Sequence, residues 1–156
     1  MEDKVSTWYQ IIGDKRYPVT IDDVPEWAVG FIYQIDNHSN FKSYIGKKLL
    51  TSTRRKKIGV RKKLSSKTRK TYETTVKDSG WMTYNSSSKI LQKEIADHPE
   101  YFSKHILHWA HSKKHLSYLE VREQMSKGLL EKESYVDNVA AKWYRRDLVK
   151  PIKPTE

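Results

Sequence analysis

Apolar and polar residues alternate through the first third of the chain, and this spacing is typical of half-buried β-strands. Segments 8–12 and 17–21 flank a Gly-Asp-Lys turn signal at 13–15 and predict a strand pair. Segments 28–35 and 42–50 are rich in β-forming residues, and the polar stretch that joins them predicts a hairpin with a longer loop. We therefore expect these segments to form an antiparallel sheet.

The second half of the chain has helical spacing instead. Residues 89–97 predict a helix with Ser87 or Ser88 as its N-cap. Residues 116–130 carry a repeating apolar stripe and predict a longer amphipathic helix. The periodicity of 101–110 fits a strand as well as a helix, so the sequence leaves that segment open.

The segment between these two parts carries the whole excess of positive charge. The 156 residues include 30 Lys and Arg against 19 Asp and Glu, a net charge of +11. Residues 47–70 hold twelve of the basic residues and no acidic one. They lack a sustained period and predict a loop, with at most a short strand or helix. Such a block typically binds a polyanion, the alternatives being a solvated loop or a localisation signal.

Composition excludes several classes of protein. The chain has no cysteine, which excludes disulfide scaffolds, thiolate metal sites and cysteine catalysis. Its longest apolar run, 27–33, is too short to span a membrane, and its polar start does not resemble a secretory signal. The basic block also has few bulky apolar residues to insert into a membrane surface. We expect a single cytoplasmic domain that binds no membrane.

Two short motifs lie on the strands of the second predicted hairpin. Gly-Phe-Ile-Tyr at 30–33 is followed, after ten residues, by Tyr-Ile-Gly at 44–46. On paired antiparallel strands, the 11-residue separation of Tyr33 and Tyr44 brings both phenols to one small patch. The two motifs together resemble the GIY-YIG nuclease motif, with Phe31 standing where that motif has its glycine.

The rest of the chain extends this resemblance. The family places an arginine soon after YIG, a glutamate on a later helix and an asparagine beyond it, which match Arg54, Glu120 and Asn138. Residues 29–148 are most similar to the Seg-like group of phage homing endonucleases. The resemblance implies an α+β (α/β sandwich) fold in which helices flank a small antiparallel sheet. We expect a nuclease domain at 28–150 with a basic insertion at 47–70, an N-terminal extension at 1–27 and a tail at 151–156.

The resemblance implies a metal-dependent DNA endonuclease that hydrolyses phosphodiester bonds and binds DNA mainly through phosphates. In the family a motif tyrosine, here Tyr33 or Tyr44, acts as general base or positions the attacking water. A free phenol has a pKa of about 10, so nearby positive charge must lower that value. Strand alternation places Tyr44, Gly46 and Lys48 on one face, which makes Lys48 the candidate for this effect. The alternative for Lys48 is a phosphate contact or a solvated lysine.

The resemblance assigns the remaining catalytic roles to three residues. Arg54 would bind the scissile phosphate through its two-pronged guanidinium, with Arg55 as its competitor. Glu120 would hold Mg²⁺ (or Mn²⁺) with waters and substrate oxygens, and Glu123 is the alternate. Asn138 would support the site through hydrogen bonds to the backbone. General contacts to DNA are expected from Lys47, Arg55, Lys56, Lys57, Arg61, Lys62 and Lys63.

Other interpretations stay open. A basic protein of this fold could bind DNA without cleaving it, for instance as an inhibitor. Four histidines lie close together at positions 105, 108, 111 and 115, but the lack of cysteine disfavours a zinc site. We expect one of them, or Tyr84, to lie near the active site as a polar helper. The sequence leaves open the oligomeric state and the choice between nicking and double-strand cleavage. An enzyme encoded by a phage would act in the host cytoplasm.

Overall fold

The structure is a computed structural model that describes residues 5–148. The predicted tail at 151–156 lies outside the described residues. Within the described range, no helix has both the length and the apolar character needed to cross a membrane. The strands are β1 (Val5–Ile12), β2 (Lys15–Thr20), β3 (Gly30–Asn37), β4 (Lys42–Leu49), β5 (Thr51–Lys57), β6 (Tyr72–Asp78), β7 (Phe102–Ala110), β8 (Asn138–Val139) and β9 (Trp143–Tyr144). The helices are α1 (Val60–Ser66), α2 (Lys89–Asp97), α3 (Lys113–Ser126) and α4 (Arg145–Leu148), with 3₁₀ turns at Ile21–Asp23, Trp81–Thr83 and Pro99–Tyr101.

Five strands form the central sheet, in the order β2-β1-β7-β3-β4. Both predicted hairpins are present, since β1 pairs antiparallel with β2, and β3 with β4. The ambiguous segment 101–110 is a strand, β7, which lies between β1 and β3 at the centre of the sheet. One parallel contact, between β1 and β7, makes the sheet mixed and joins the first hairpin to the motif strands. The described part of the predicted N-terminal extension therefore belongs to the same sheet.

Strand alternation on β3 divides the core into two layers. Phe31, Tyr33 and Ile35 point to one face, where they pack with Trp8, Trp81, Leu91 and Ile95. Ile32 points to the other face, where it packs with Ile45 and with Leu116 and Leu119 of α3. The sheet is thus flanked by helices on both faces, as the predicted α+β sandwich requires.

The two main helices begin at serine caps. Ser88 accepts a hydrogen bond from the Leu91 N–H at 3.3 Å, which confirms the predicted helix over Lys89–Asp97. Ser112 caps α3 by accepting from the His115 N–H at 3.0 Å. The predicted helix at 116–130 was placed too late, because the helix ends before Gly128, where the backbone turns left-handed with φ +59°.

The basic block has more regular structure than the sequence predicts, since most of it is strand or helix and not loop. Its residues form β5 and α1, and β5 pairs in register with β6, which lies beyond the block. That pairing explains why the block alone shows no period, because its partner strand is more than ten residues away. Hydrogen bonds at the root hold this arm (residues 51–78) to the sheet: Leu50 N–H to Val29 O, Ser79 N–H to Leu50 O, and Ser79 Oγ to Leu49 O.

Candidate active site

Tyr33 lies at the centre of an aromatic cluster on β3. Its side chain is 1% exposed, and its ring packs 4.9 Å from Trp8, 6.0 Å from Tyr44 and 5.8 Å from Tyr84, measured between ring centres. Phe31 is also fully buried there, so the motif glycine that this chain lacks is replaced by a core side chain. Tyr84 therefore lies next to the motif tyrosine, as expected of a polar helper.

Tyr44 lies on the edge strand β4 and is partly exposed. Its hydroxyl is 3.2 Å from the Ser87 hydroxyl, at the start of α2. Tyr44 and Glu120 line the same cleft, which has a volume of about 330 Å³ and an opening to solvent. The remaining residues that line it are Ser88, Gln124, Tyr135, Val136, Asp137, Asn138, Ala140 and Ala141. The structure thus brings together three of the predicted site residues: Tyr44, Glu120 and Asn138.

Helix α3 carries Glu120 to this cleft because its polar residues bind the free edge of β4. Gln124 Nε2 donates to the Ile45 carbonyl at 2.7 Å, and Lys47 Nζ donates to Ser117 Oγ at 2.9 Å. Burial raises the pKa of Glu120, while the charge and backbone N–H of Lys47 act against that shift. The cleft therefore holds a carboxylate that is partly shielded from water and faces one lysine.

The pKa values of both motif tyrosines are raised in the free protein. Burial is the main cause at each, and the neighbouring phenols add to it at Tyr33. At Tyr44 the Ser87 hydrogen bond lowers the pKa, whereas Tyr84 and Glu120 raise it. We expected Lys48 to lower the pKa of a motif phenol, but its ammonium lies 4.0 Å from the centre of the Tyr84 ring. The phenols thus remain protonated at neutral pH until substrate or a cation changes their surroundings.

Glu123, the alternate to Glu120, has other partners. Its carboxylate lies 2.7 Å from His108 Nε2 and 3.4 Å from Lys127 Nζ. It is not among the residues that line the Tyr44 cleft. This placement favours Glu120, one turn earlier on the same helix, as the carboxylate of the site.

Asn138 supports a tight turn at the rim of the cleft. Its Oδ1 accepts a hydrogen bond from the Ala141 N–H at 3.1 Å. Ala140 and Ala141 both have left-handed backbone angles, with φ of 54° and 52°. A non-glycine residue in that region is strained, so the side chain of Asn138 offsets part of the cost of the turn.

The arginines predicted for the scissile phosphate lie on the arm. The arm leaves β4 at Leu50, six residues beyond Tyr44, which corresponds to roughly 20 Å along a strand. Neither Arg54 nor Arg55 lines the cleft. The arm leaves the edge strand at the end far from the two tyrosines, because β4 continues to Leu49.

Lys104 is a buried residue near the site that the sequence analysis missed. Its ammonium donates to Thr7 Oγ1, the Tyr84 carbonyl and Asn85 Oδ1, at 2.6, 2.7 and 2.8 Å. Burial lowers the pKa of Lys104 to about 8. No pattern could have revealed it, because a single lysine on a strand looks like a solvated residue.

The sequence predicts for Ser87 only a possible role as a helix cap, because its contact with Tyr44 depends on how α2 packs against β4. The four clustered histidines do not share a helix face, because His105 and His108 belong to strand β7. His111 and His115 stack on each other with ring centres 4.1 Å apart.

The atoms near Glu120 that could bind a metal ion are mostly oxygens. Within residues 5–148 there is no group of three or more His, Cys, Asp or Glu side chains that could hold a metal ion. The cleft does offer the Glu120 carboxylate and the amide groups of Gln124 and Asn138. Gln124 Oε1 has no hydrogen-bond partner within the described range. Asp137 also lines the cleft. Carboxylate and amide oxygens of this kind fit a hard cation that keeps most of its waters, such as Mg²⁺.

Comparison with known proteins identifies the family of the chain. No curated protein and no solved structure gives a significant match to the chain. A family model described as "Putative endonuclease segE, GIY-YIG domain" matches residues 14–148, a range that includes both motif tyrosines, Glu120 and Asn138. The match covers most of the 156 residues. The chain therefore belongs to the SegE GIY-YIG family of endonuclease domains.

Proposed function

We propose that this protein is a DNA endonuclease that hydrolyses phosphodiester bonds with the help of Mg²⁺ or Mn²⁺. The observation that carries the proposal is the shared cleft of Tyr44 and Glu120, with Tyr33 packed behind Tyr44. A phenol that can hold a water and a carboxylate that can hold a cation are the groups that this hydrolysis needs. The family match supports nuclease activity in general.

Each residue has a distinct part in this proposal. The Tyr44 hydroxyl, which lies in the cleft, orients the attacking water and accepts its proton when the phenol becomes ionised. Tyr33 is buried and acts as a positioning residue, because its hydroxyl interacts with the Tyr44 and Tyr84 phenols and holds Tyr44 in place. Glu120 would hold the cation, which supplies positive charge to the scissile phosphate when it is bound. Asn138 maintains the rim of the cleft.

DNA binding comes mainly from the arm and the adjoining end of β4. Arg54, Lys56 and Lys57 lie on β5, whose residues are all exposed. Each phosphate that these cations neutralise releases counterions, so the affinity should fall steeply as the salt concentration rises. Arg54 remains our candidate for a phosphate contact, made by DNA that bridges the arm and the cleft. Lys48 lies on β4 near the root of the arm, with its ammonium over the Tyr84 ring, and is proposed as a phosphate contact between the arm and the cleft.

The test is incubation of supercoiled plasmid with Mg²⁺, with Mn²⁺ and with EDTA. We expect nicking only with a divalent cation, and we expect Glu120→Gln and Tyr44→Phe to abolish it. Glu123→Gln is the matched control, because it removes the same charge one turn away from the cleft. DNA that is shifted in a gel but intact under every condition would establish the alternative, a DNA-binding or inhibitor protein that does not cleave.

A further inference from the structure

The arm is a two-stranded ribbon that stands apart from the main sheet. Strands β5 and β6 pair with each other and with no strand of the five-stranded sheet. Every residue of β5 is exposed, and so are most residues of β6. An isolated ribbon of two strands is only marginally stable in water. Because these side chains are exposed, they contribute little to the core, and we interpret them as a binding surface.

The register of the ribbon sorts its side chains onto two faces, because residues that lie directly opposite each other share a face. The first, which we call the mixed face, carries Thr53, Arg55, Lys57, Tyr72, Thr74 and Val76, with Thr51 and Asp78 at the root of the ribbon. The second, which we call the charged face, carries Ser52, Arg54, Lys56, Glu73, Thr75 and Lys77. Arg54 and Arg55 are therefore neighbours in sequence but lie on opposite faces.

The mixed face holds apolar groups that are not needed for binding to phosphates alone. Tyr72 is 47% exposed and Val76 is 61% exposed. The guanidinium of Arg55 lies 4.6 Å from the centre of the Tyr72 ring. A stacked guanidinium is oriented in advance, and its N–H edge stays free to donate two hydrogen bonds. On the charged face, the carboxylate of Glu73 is paired with the ammonium of Lys62 at 2.6 Å.

We propose that the β5–β6 ribbon enters the major groove of duplex DNA with its mixed face toward the bases, and that Arg55 reads a base there. The choice of DNA as partner rests on the proposed function. The major groove is about 12 Å wide and admits a two-stranded ribbon. The major groove of A-form RNA is too narrow for side chains to read, so the partner is duplex DNA.

The spacing of the ribbon fits the repeat of the duplex. Alternate residues on a strand are roughly 6.8 Å apart, which corresponds to about two base-pair steps of B-DNA. Thr53, Arg55 and Lys57 therefore meet every second step. The edge of Arg55 matches the two acceptors of guanine, while Val76 and the threonine methyl groups suit the methyl group of thymine. The charged face then points away from the bases, and the long side chains of Arg54, Lys56 and Lys77 can reach the phosphates that flank the groove.

The experiment is a selection from randomised DNA duplexes, made with Glu120→Gln protein so that bound DNA stays intact. We expect enrichment of particular bases, with guanine at one position. In the same background, Arg55→Ala should lose that preference by about ten-fold to one-hundred-fold. Arg54→Ala is the matched control, since it removes the same charge from the opposite face and should weaken all duplexes equally. Tyr72→Leu should loosen the preference without removing a charge.

Equal enrichment profiles for Arg54→Ala and Arg55→Ala would overturn the proposal, as would the absence of any enriched base. Binding of duplex RNA as tight as that of duplex DNA would also overturn it. Circular dichroism on each variant verifies that the ribbon and the sheet remain folded. Plasmid nicking by the unmodified protein is scored separately. Nicking without base enrichment would reject only the base-reading role, and enrichment without nicking would reject only the nuclease.

Discussion

Gly46 gives Tyr33 the space that its phenol occupies. The two residues face each other across β3 and β4. A methyl group on the Gly46 Cα would lie 2.6 Å from the Tyr33 hydroxyl oxygen and 2.8 Å from the Tyr44 ring. Close packing beneath both phenols therefore explains why the last residue of the Tyr-Ile-Gly motif is a glycine. Backbone conformation does not explain it, since the φ angle of Gly46 is not in the left-handed region.

Gly46→Ala should inactivate the enzyme while leaving most of the fold intact. The new methyl group would displace both phenols, and overpacking of this kind typically costs about 1–3 kcal/mol of stability. Plasmid nicking and thermal unfolding measure the two effects. Gly59→Ala is the control, because its Cβ would meet no atom within 4 Å. Full nicking by Gly46→Ala would show that the phenols need no fixed position.

Tyr44→Phe should reduce cleavage by about a hundred-fold or more, the usual effect of losing a proton-transfer group. Tyr33→Phe should also abolish cleavage, since the Tyr33 hydroxyl lies against the strand that carries Tyr44. Both variants should bind DNA almost normally, because neither removes a charge. Gel shifts alongside nicking assays measure this, with the exposed Tyr17→Phe as control. Equal loss of binding and cleavage would contradict these roles.

Glu120→Gln should stabilise the protein at pH 7 in the absence of divalent cations. Because burial raises the pKa of Glu120, the folded chain binds more protons than the unfolded chain at pH values between the unfolded and the folded pKa. Stability from this group is present below its unfolded pKa of about 4.3 and is lost as pH rises through the folded pKa. Thermal unfolding at pH 4 and pH 7 should show the advantage of the amide only at pH 7, with exposed Glu131→Gln as control.

Neutralising the arm should weaken binding more than bond cleavage. We expect the combined replacement of Lys56, Lys57, Arg61, Lys62 and Lys63 by Gln to raise the apparent Kd and to flatten its salt slope. Turnover at saturating DNA should change little, because these residues contact the ground state and the transition state alike. Replacing five exposed lysines outside the arm is the control. Normal DNA binding by the neutral arm would assign it to another partner.

Lys104 should make stability rise between pH 8 and pH 10. Its pKa is about 8 in the folded chain, whereas a free lysine has a pKa of about 10.4, so the unfolded chain binds more protons in that window. Lys104→Met should lack this gain, and the exposed Lys15→Met should keep it. Thermal unfolding across this pH range measures the difference, and parallel curves for the two variants would contradict it.

Patterns within short stretches of the chain are enough to predict the local elements and the motif. Alternation and turn residues predicted the two hairpins, and the motif spacing placed Tyr33 and Tyr44 on neighbouring strands. A serine cap predicted α2, and an apolar stripe predicted α3 with its bounds shifted by a few residues. These features depend on residues that lie close together in the chain. A short period or a cap therefore carries enough information to predict them.

The composition of the cleft and the pairing of the arm could not be predicted from short patterns, because they depend on contacts between distant segments. Glu120 reaches Tyr44 only because α3 binds the free edge of β4 through Gln124 and Lys47. The basic block becomes a ribbon only because β5 finds a partner strand outside the block. Arg54 is thereby carried onto the arm and away from the cleft, while burial raises the pKa of Tyr44. A spacing in sequence limits how far apart two residues can be, but it does not determine which packed neighbours exclude water from them.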